Sequence, residues 1–283
     1  MTLVWKSGPG NLLLKNGMVI TGSQKNKGLL DEFTGAAAAY SLRDLTFLRG
    51  NPVVRVRRSS DNAEQDFTAT QVSDGNLAAW VGAGNDGFVR TWYDQSGNGR
   101  DAQQATAASQ PSIVSSGSVV TDGLKPALSF NSDFLRTSLF GGWDSDSLFL
   151  VFSCTGLNQF VVDGETANNL SLWTTSTSGN LRYFAGGSFT ALSNIYTLGS
   201  QALFTGIALS TNPTSSTVKV NGDQRTANIG TNKRNGLTLG ASGGTPPALP
   251  ITGKISEAII YPVDKSSEQV AIEANINAHY SIY

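Results

Sequence analysis

Residues 91–102 read TWYDQSGNGRDA and set two Asp, a Ser, an Asn and two Gly behind a Trp-Tyr pair. Two kinds of chemistry fit these residue types. Asp94, Ser96, Asn98 and Gly99 fall at positions 1, 3, 5 and 6 of a calcium loop, where alternate oxygen-bearing side chains converge on one cation and Gly allows the sharp bend. Position 12 is Ala105, not Glu, and Asp101 at position 8 is left as a partial replacement. The same residues also build a turn. Asp and Asn side chains bond to backbone N–H groups two residues on, and Gly97 and Gly99 accept positive φ. The turn is the reading adopted, with calcium held by Asp94, Ser96, Asn98 and Asp101 as the metal alternative. No other cofactor is indicated.

Cys154 and His279 stand alone in their types. An intrachain disulfide is therefore excluded. A Cys/His nucleophile or a Ser-His-Asp triad would need His279, far along the chain in an expected C-terminal helix. A multi-His or multi-Cys zinc site has too few ligands. Cys154, inside SLFLVFSC, reads as a small buried hydrophobe. Trp80 and Trp92 sit in apolar contexts and read as core. Trp143 (FGGWDSDS), Trp173 (LSLWTT) and Tyr183 (LRYFAGG) lie next to turns. They are the candidate aromatic platforms for a sugar ring, with buried packing as the other reading.

These residues need elements to carry them, and the expected elements are mostly strands. NPVVRVRRSS alternates, with Val54 and Val56 on one face and Arg55 and Arg57 on the other. Arg57 and Arg58 have Asp61, Glu64 and Asp66 as nearby partners; a carbohydrate-binding rim is the alternative for this loop. After residue 110 come KPALSF, SLFLVFSC, QFVVDG, NLSLWTT, LRYFAG, IYTLG, ALFTGIALS, STVKVNGDQ, LTLGAS and GKISEAIIYP, divided by Gly, Asn, Asp and Ser turns. Asn221-Gly222 marks a two-residue hairpin. Three helices are expected. GAAAAYSLRDL is Ala-rich with Thr34 as N-cap. NLAAWVGAG ends at Gly82 or Gly84. Residues 266–279 carry a Ser266/Gln269 capping box and share Ile272 and Ile276 on one face. Residues 1–28 alternate short apolar pieces with Gly, Pro, Lys and Asn, and read as an arm or small hairpin, or as a first strand with a frayed end.

The pattern gives a mainly β chain: an antiparallel jelly-roll sandwich over residues 29–283 with a few short helices. Charged residues make up only 14% and net charge is −1, so no basic field is present to gather nucleic acid. No apolar run approaches the roughly 18 residues of a membrane span, and the N-terminus lacks the apolar stretch of a secretory signal. A soluble, unexported chain is expected.

Three pieces in order, AAAAYSLRDL, VVRVRRSSDNAEQDF and TWYDQSGNGRDAQQATAASQP, resemble the first part of the catalytic domain of arabinofuranosidase B-type glycosidases. That resemblance implies a concanavalin A-like jelly roll. Those enzymes carry an adjacent Cys-Cys disulfide in the sugar site, with the nucleophilic Glu shortly after it. This chain has no such pair. In FVVDGETANN, Asp163, Gly164 and Glu165 echo the family's Asp-Tyr-Gly-Asn-Ala-Glu stretch at a different spacing, which makes Glu165 the implied nucleophile and Asp163 its neighbour. The family's acid/base Asp has no placed counterpart, and Asp-Gly-Glu is also an ordinary hairpin tip. Retaining hydrolysis needs two carboxyls about 5 to 5.5 Å apart.

With KPALSF and GKISEAIIYPVDKSSEQVAIEANINAHYSIY, the whole set more closely resembles bacteriophage virion proteins. That resemblance implies a structural or adhesion component of a tail fibre, spike or capsid decoration, located on the virion. It would attach to other virion proteins through residues 1–28, form homo-oligomers (trimers in a fibre), and bind host surface glycan. A free carbohydrate-binding module and an arabinofuranosidase-type hydrolase remain the alternatives.

Overall fold

The computed structural model describes residues 11–13, 19–21, 27–47, 50–167, 169–187 and 192–283. Among the described residues eighteen strands form one antiparallel sheet, and the molecule is mainly β, with few helices. Ser145–Cys154 is its axis. It pairs with Ala202–Leu209 on one side and Thr252–Tyr261 on the other. Beyond Ala202–Leu209 lies the hairpin Thr217–Val220 and Asp223–Thr226, turned by Asn221-Gly222 with both residues at positive φ. Thr252–Tyr261 carries Leu128–Asn131 and Ala38–Ser41 on its far edge. From Leu128–Asn131 the sheet continues through Ser112–Ser115, Gly87–Trp92, Pro52–Arg58 and Glu64–Thr68. A second branch leaves Gly87–Trp92 through Ala102–Gln103, Leu135–Arg136 and Thr238–Leu239. It reaches Phe160–Asp163, Ser171–Thr174 and Leu181–Phe184.

Two buried clusters explain why SLFLVFSC is apolar without alternation. Leu148, Leu150 and Phe152 face the main core, with Trp92, Phe130 and Phe204. Phe149 and Val151 face the opposite way, onto Ile272, Ile276 and Tyr280 of the C-terminal helix Gln269–Tyr280. A strand covered on both faces gains from apolar residues at every position. Glu257 ties the second layer: Arg43 donates to both its oxygens at 2.8 and 2.9 Å, Ser41 Oγ at 2.8 Å and Tyr280 Oη at 3.2 Å.

Four sequence expectations are corrected. GAAAAYSLRDL is not a helix; Ala38–Ser41 is a strand. Ala37 and Ala38 pack into the main core while Ala36 and Ala39 pack into the second, so the small side chains serve passage between two cores, and tertiary packing overrides helix propensity. IYTLG is not a strand: the consecutive N–H groups of Ile195 and Tyr196 both go to the Gly179 carbonyl, at 2.9 and 3.2 Å, in place of a strand ladder. The Ser266/Gln269 capping box does not form: Ser266 bonds Asp264, Gln269 bonds Glu273, and the N-cap is Glu268. Arg58 pairs with Asp61, but Asp66 pairs with Arg55, Glu64 with Arg90, and Arg57 bonds Gln110 and Asn62.

The expected strand face and second helix agree with the structure. Val54 and Val56 are buried, and Asn76–Val81 is a helix ended by Gly82. Within residues 1–28, Asn11–Leu13 pairs antiparallel with Val19–Thr21; the arm's other residues before Lys27 lie outside the described residues. Among the described residues no helix is long and apolar enough to cross a membrane.

Ile276→Ala should cost about 2–5 kcal/mol in denaturant unfolding, whereas Val270→Ala, on the exposed side of the same helix, should stay within about 0.5 kcal/mol. Burial, then the charges of Arg43 and Lys125, lowers His279 to about 4 from 6.5. The unfolded chain therefore takes the proton first. Stability from this group is full above pH 6.5 and falls progressively as pH drops toward 4. That slope should be missing in His279→Gln when melting is followed across this window.

Candidate functional site

The strand Phe160–Asp163 runs into the loop carrying the two candidate carboxylates, and the loop treats them in opposite ways. Asp163 is fully buried. Its Oδ1 accepts N–H groups from Gly164 (2.8 Å) and Asn169 (3.1 Å), and its Oδ2 accepts Gly243 N–H at 3.0 Å. Three backbone donors hold this carboxylate as the anchor of the loop. Glu165 is fixed only through its main chain: its N–H donates to Asn235 Oδ1 at 3.1 Å, and its carbonyl accepts Gly244 N–H at 2.8 Å. Its half-buried carboxylate forms no hydrogen bond or ion pair with the described residues. No hydrogen bond joins the two carboxylates among the described residues.

Neighbouring segments close around Glu165. Gly236 has φ +114°, and a Cβ there would lie 2.8 Å from Glu165 Cβ, so only Gly fits. Asn235 Nδ2 donates to Thr166 Oγ1, which also accepts Asn169 Nδ2 at 2.8 Å. Arg136 spans the far side, donating to Thr238 Oγ1 at 3.1 Å and to the Gly244 carbonyl at 2.7 Å.

Below Asn235 lies a buried ion pair. Arg234 donates Nε to Asp146 Oδ2 at 2.6 Å and Nη2 to Oδ1 at 2.7 Å, with the two side chains 0% and 3% exposed. Burial opposes the guanidinium charge, but Asp146 more than offsets it and raises the Arg234 pKa. Trp143 Nε1 donates to the same Asp146 Oδ2 at 3.0 Å, and its half-buried ring packs beside Phe140. One carboxylate therefore orients both an aromatic ring and the segment that positions Glu165.

The three aromatic candidates separate. Trp143 stands at the Asp146 junction. Trp173 is half-buried on the neighbouring strand, 4.7 Å from Phe160 and with the Arg182 guanidinium 5.3 Å from its ring. Tyr183 lies in the core, packed edge-on against Phe204 at 5.2 Å, and offers no surface to a sugar. Residue 183 follows Arg182, which pairs with Trp173, so alternation turns Tyr183 to the opposite face from Trp173.

The Asp94 loop spends its oxygens on the fold. Asp94 Oδ1 accepts Ala39 N–H and Ser96 N–H, both at 2.9 Å; Oδ2 accepts Ser96 Oγ–H at 2.8 Å and Arg100 N–H at 3.0 Å. Asp101 Oδ1 accepts Asp94 N–H at 2.9 Å, and Asn98 Nδ2 donates to the carbonyls of Ala36 and Ala37. This network clasps the poly-Ala strand. Among the described residues no group of three or more His, Cys, Asp or Glu is placed to hold a metal.

Arg234, Asn235 and Asp146 were not found from the sequence. TNKRNGL has no periodicity that separates a buried Arg from an exposed one, and Asp146 lies in what reads as a polar turn, WDSDS. Asp146→Ala should destabilise the protein by about 3–5 kcal/mol in chemical denaturation, because it leaves Arg234 buried and unpaired. Replacing both residues with apolar ones should cost less than that single change.

No family model matches this sequence, and no curated protein sequence matches it. Its fold has solved counterparts. A GH54 α-L-arabinofuranosidase soaked with a cyclic sulfate inhibitor aligns with a TM-score of 0.60 and 13% identity, over 86% of this chain and 62% of that one. An arabinofuranosidase complexed with arabinofuranosyl-α-1,2-xylobiose aligns with a TM-score of 0.55 and 14% identity, over the same shares. The chain therefore spans less than two thirds of the length of these enzymes, and what it shares with them at this identity is the fold.

Proposed function

We propose that this chain is a glycan-binding jelly roll displayed on a bacteriophage particle, and that it holds its saccharide at the Glu165 loop without cleaving it. One observation carries the glycan reading. In a fold shared with arabinofuranosidases, the Asp163–Glu165 loop keeps one carboxylate free and locks the other under three backbone N–H groups. A free carboxylate accepts hydrogen bonds from sugar hydroxyls. Retaining hydrolysis needs a second carboxyl that can exchange a proton beside it, and Asp163 is committed to the loop. Trp143, held by Asp146, supplies an aromatic ring near the segment that carries Asn235. The virion location rests on the motif set from AAAAYSLRDL to the closing GKISEAIIY segment. On this reading, copies of the chain associate with one another and with other virion proteins through residues 1–28.

The free Glu165 carboxylate also favours a second reading, an arabinofuranosidase-type hydrolase. Titration with arabinofuranosyl-α-1,2-xylobiose, and incubation with 4-nitrophenyl α-L-arabinofuranoside, separate the two. The expected result is binding weakened about tenfold or more in Glu165→Gln, and no nitrophenol release by the native protein. Release that disappears in Glu165→Gln would establish the hydrolase instead. Banding with intact tailed phage at a fixed copy number is expected, and absence from particles would overturn the virion location.

A further inference from the structure

A row of side chains crosses the solvent face of five strands, away from the Glu165 loop. Its cross-strand neighbours run from Arg57 to Phe88, from Phe88 to Ser112, from Ser112 to Ser129 and from Ser129 to Lys254. Residues adjacent in sequence point the other way and are buried: Val56, Val89, Ile113, Leu128 and Ile255. Alternation therefore turns the whole row outward. Its middle is two serines and its ends are long side chains, so the row forms a trough. Ala107 and Ala108 stand along it, and Asn131 and Asp133 continue it, enclosing a groove of about 550 Å³.

One wall is held rigid. The Arg57 guanidinium lies 4.8 Å from the Phe88 ring centre. Its Nε donates to Gln110 Oε1 at 2.8 Å, Nη1 to Asn62 Oδ1 at 2.7 Å and Nη2 to the Ala107 carbonyl at 3.3 Å. The floor is different. The hydroxyls of Ser112 and Ser129 and the amide of Asn131 have no hydrogen-bond partner among the described residues. Among the described residues Asp133 accepts only Asn131 N–H, at 2.9 Å, and makes no ion pair; burial raises its pKa.

This lining selects a ligand class. Three of the five Arg57 N–H donors are held by Gln110, Asn62 and the Ala107 carbonyl, and the Asp133 carboxylate stands in the same groove, so a phosphate or carboxylate ligand is disfavoured. Free hydroxyls, a free amide and a carboxylate acceptor match adjacent sugar hydroxyls, which both donate and accept. The apolar wall at Phe88, Ala107 and Ala108 matches the C–H face of a ring.

We propose that this groove binds a neutral saccharide, independently of the Glu165 loop, with which it shares no residue. Saturation-transfer NMR with the methyl glycosides of glucose, galactose, mannose and L-arabinose tests it, on the native protein, on Glu165→Gln, and on Glu165→Gln combined with Ser129→Phe or with Asn131→Ala. The expected result is transfer from at least one glycoside that persists in Glu165→Gln; in that background, adding Ser129→Phe abolishes it and adding Asn131→Ala weakens binding about fivefold. Asn131 is exposed, so its variant reports on binding even should Ser129→Phe fail to fold. No transfer from any of the four, or binding in that background that Asn131→Ala leaves at full strength, overturns the groove. Loss in Glu165→Gln alone also overturns it, while leaving the loop as the sugar site.

Discussion

The buried pair between Arg234 and Asp146 is the interaction on which the loop end of the sandwich depends. Asp146 belongs to the axial strand Ser145–Cys154, and Arg234 belongs to the segment that returns toward Thr238–Leu239. Two N–H···O bonds of 2.6 and 2.7 Å join them inside the protein. A guanidinium in that position is tolerable only with a carboxylate beside it, since desolvation costs several kcal/mol per unpaired charge. The bidentate geometry fixes more than distance. It sets the direction in which the chain leaves Arg234, and so where Asn235 and Gly236 meet the Glu165 loop. Stability and site geometry are therefore the same constraint at this end of the molecule.

The fold repeats this device with other partners. Glu257 gathers Arg43, Ser41 and Tyr280, joining the edge strand and the C-terminal helix. Asp94 gathers backbone donors from Ala39, Ser96 and Arg100 and clasps the poly-Ala strand. Asp163 does the same for the loop that follows its own strand. In each case a carboxylate supplies several acceptor sites where strands leave the regular hydrogen-bond ladder. A chain with 14% charged residues spends many of its acids this way, inside the structure.

Those commitments narrow the chemistry that remains. Once Asp94, Asp146, Asp163 and Glu257 hold the fold, Glu165 and Asp133 are acids left with open acceptor sites among the described residues, Asp133 in a groove and Glu165 on a loop. They stand on different parts of the sheet and serve different surroundings, one a loop end beside Asn235 and the other a polar trough across strands.

The sequence by itself determined the β architecture, the Asn221-Gly222 hairpin, the outward Arg55 and Arg57, and the Ile272/Ile276 face of the last helix. These follow from alternation, helical spacing and turn residues, all of which are local. It also marked the Asp94 loop as a side-chain-bonded turn, because the acceptor and donor types lie within a few residues of one another. The poly-Ala segment went the other way: its helix propensity is a local preference, and burial between two cores outweighs it. Only the tertiary structure decided which acids are locked and which are free. Asp163 and Glu165 differ by two positions in sequence, yet Gly243 and Asn169 reach one and not the other. The serine row behaves likewise, since Ser112 and Ser129 become neighbours only when strands distant in sequence pair. Long-range pairing sets such contacts, and the local residue pattern does not encode them.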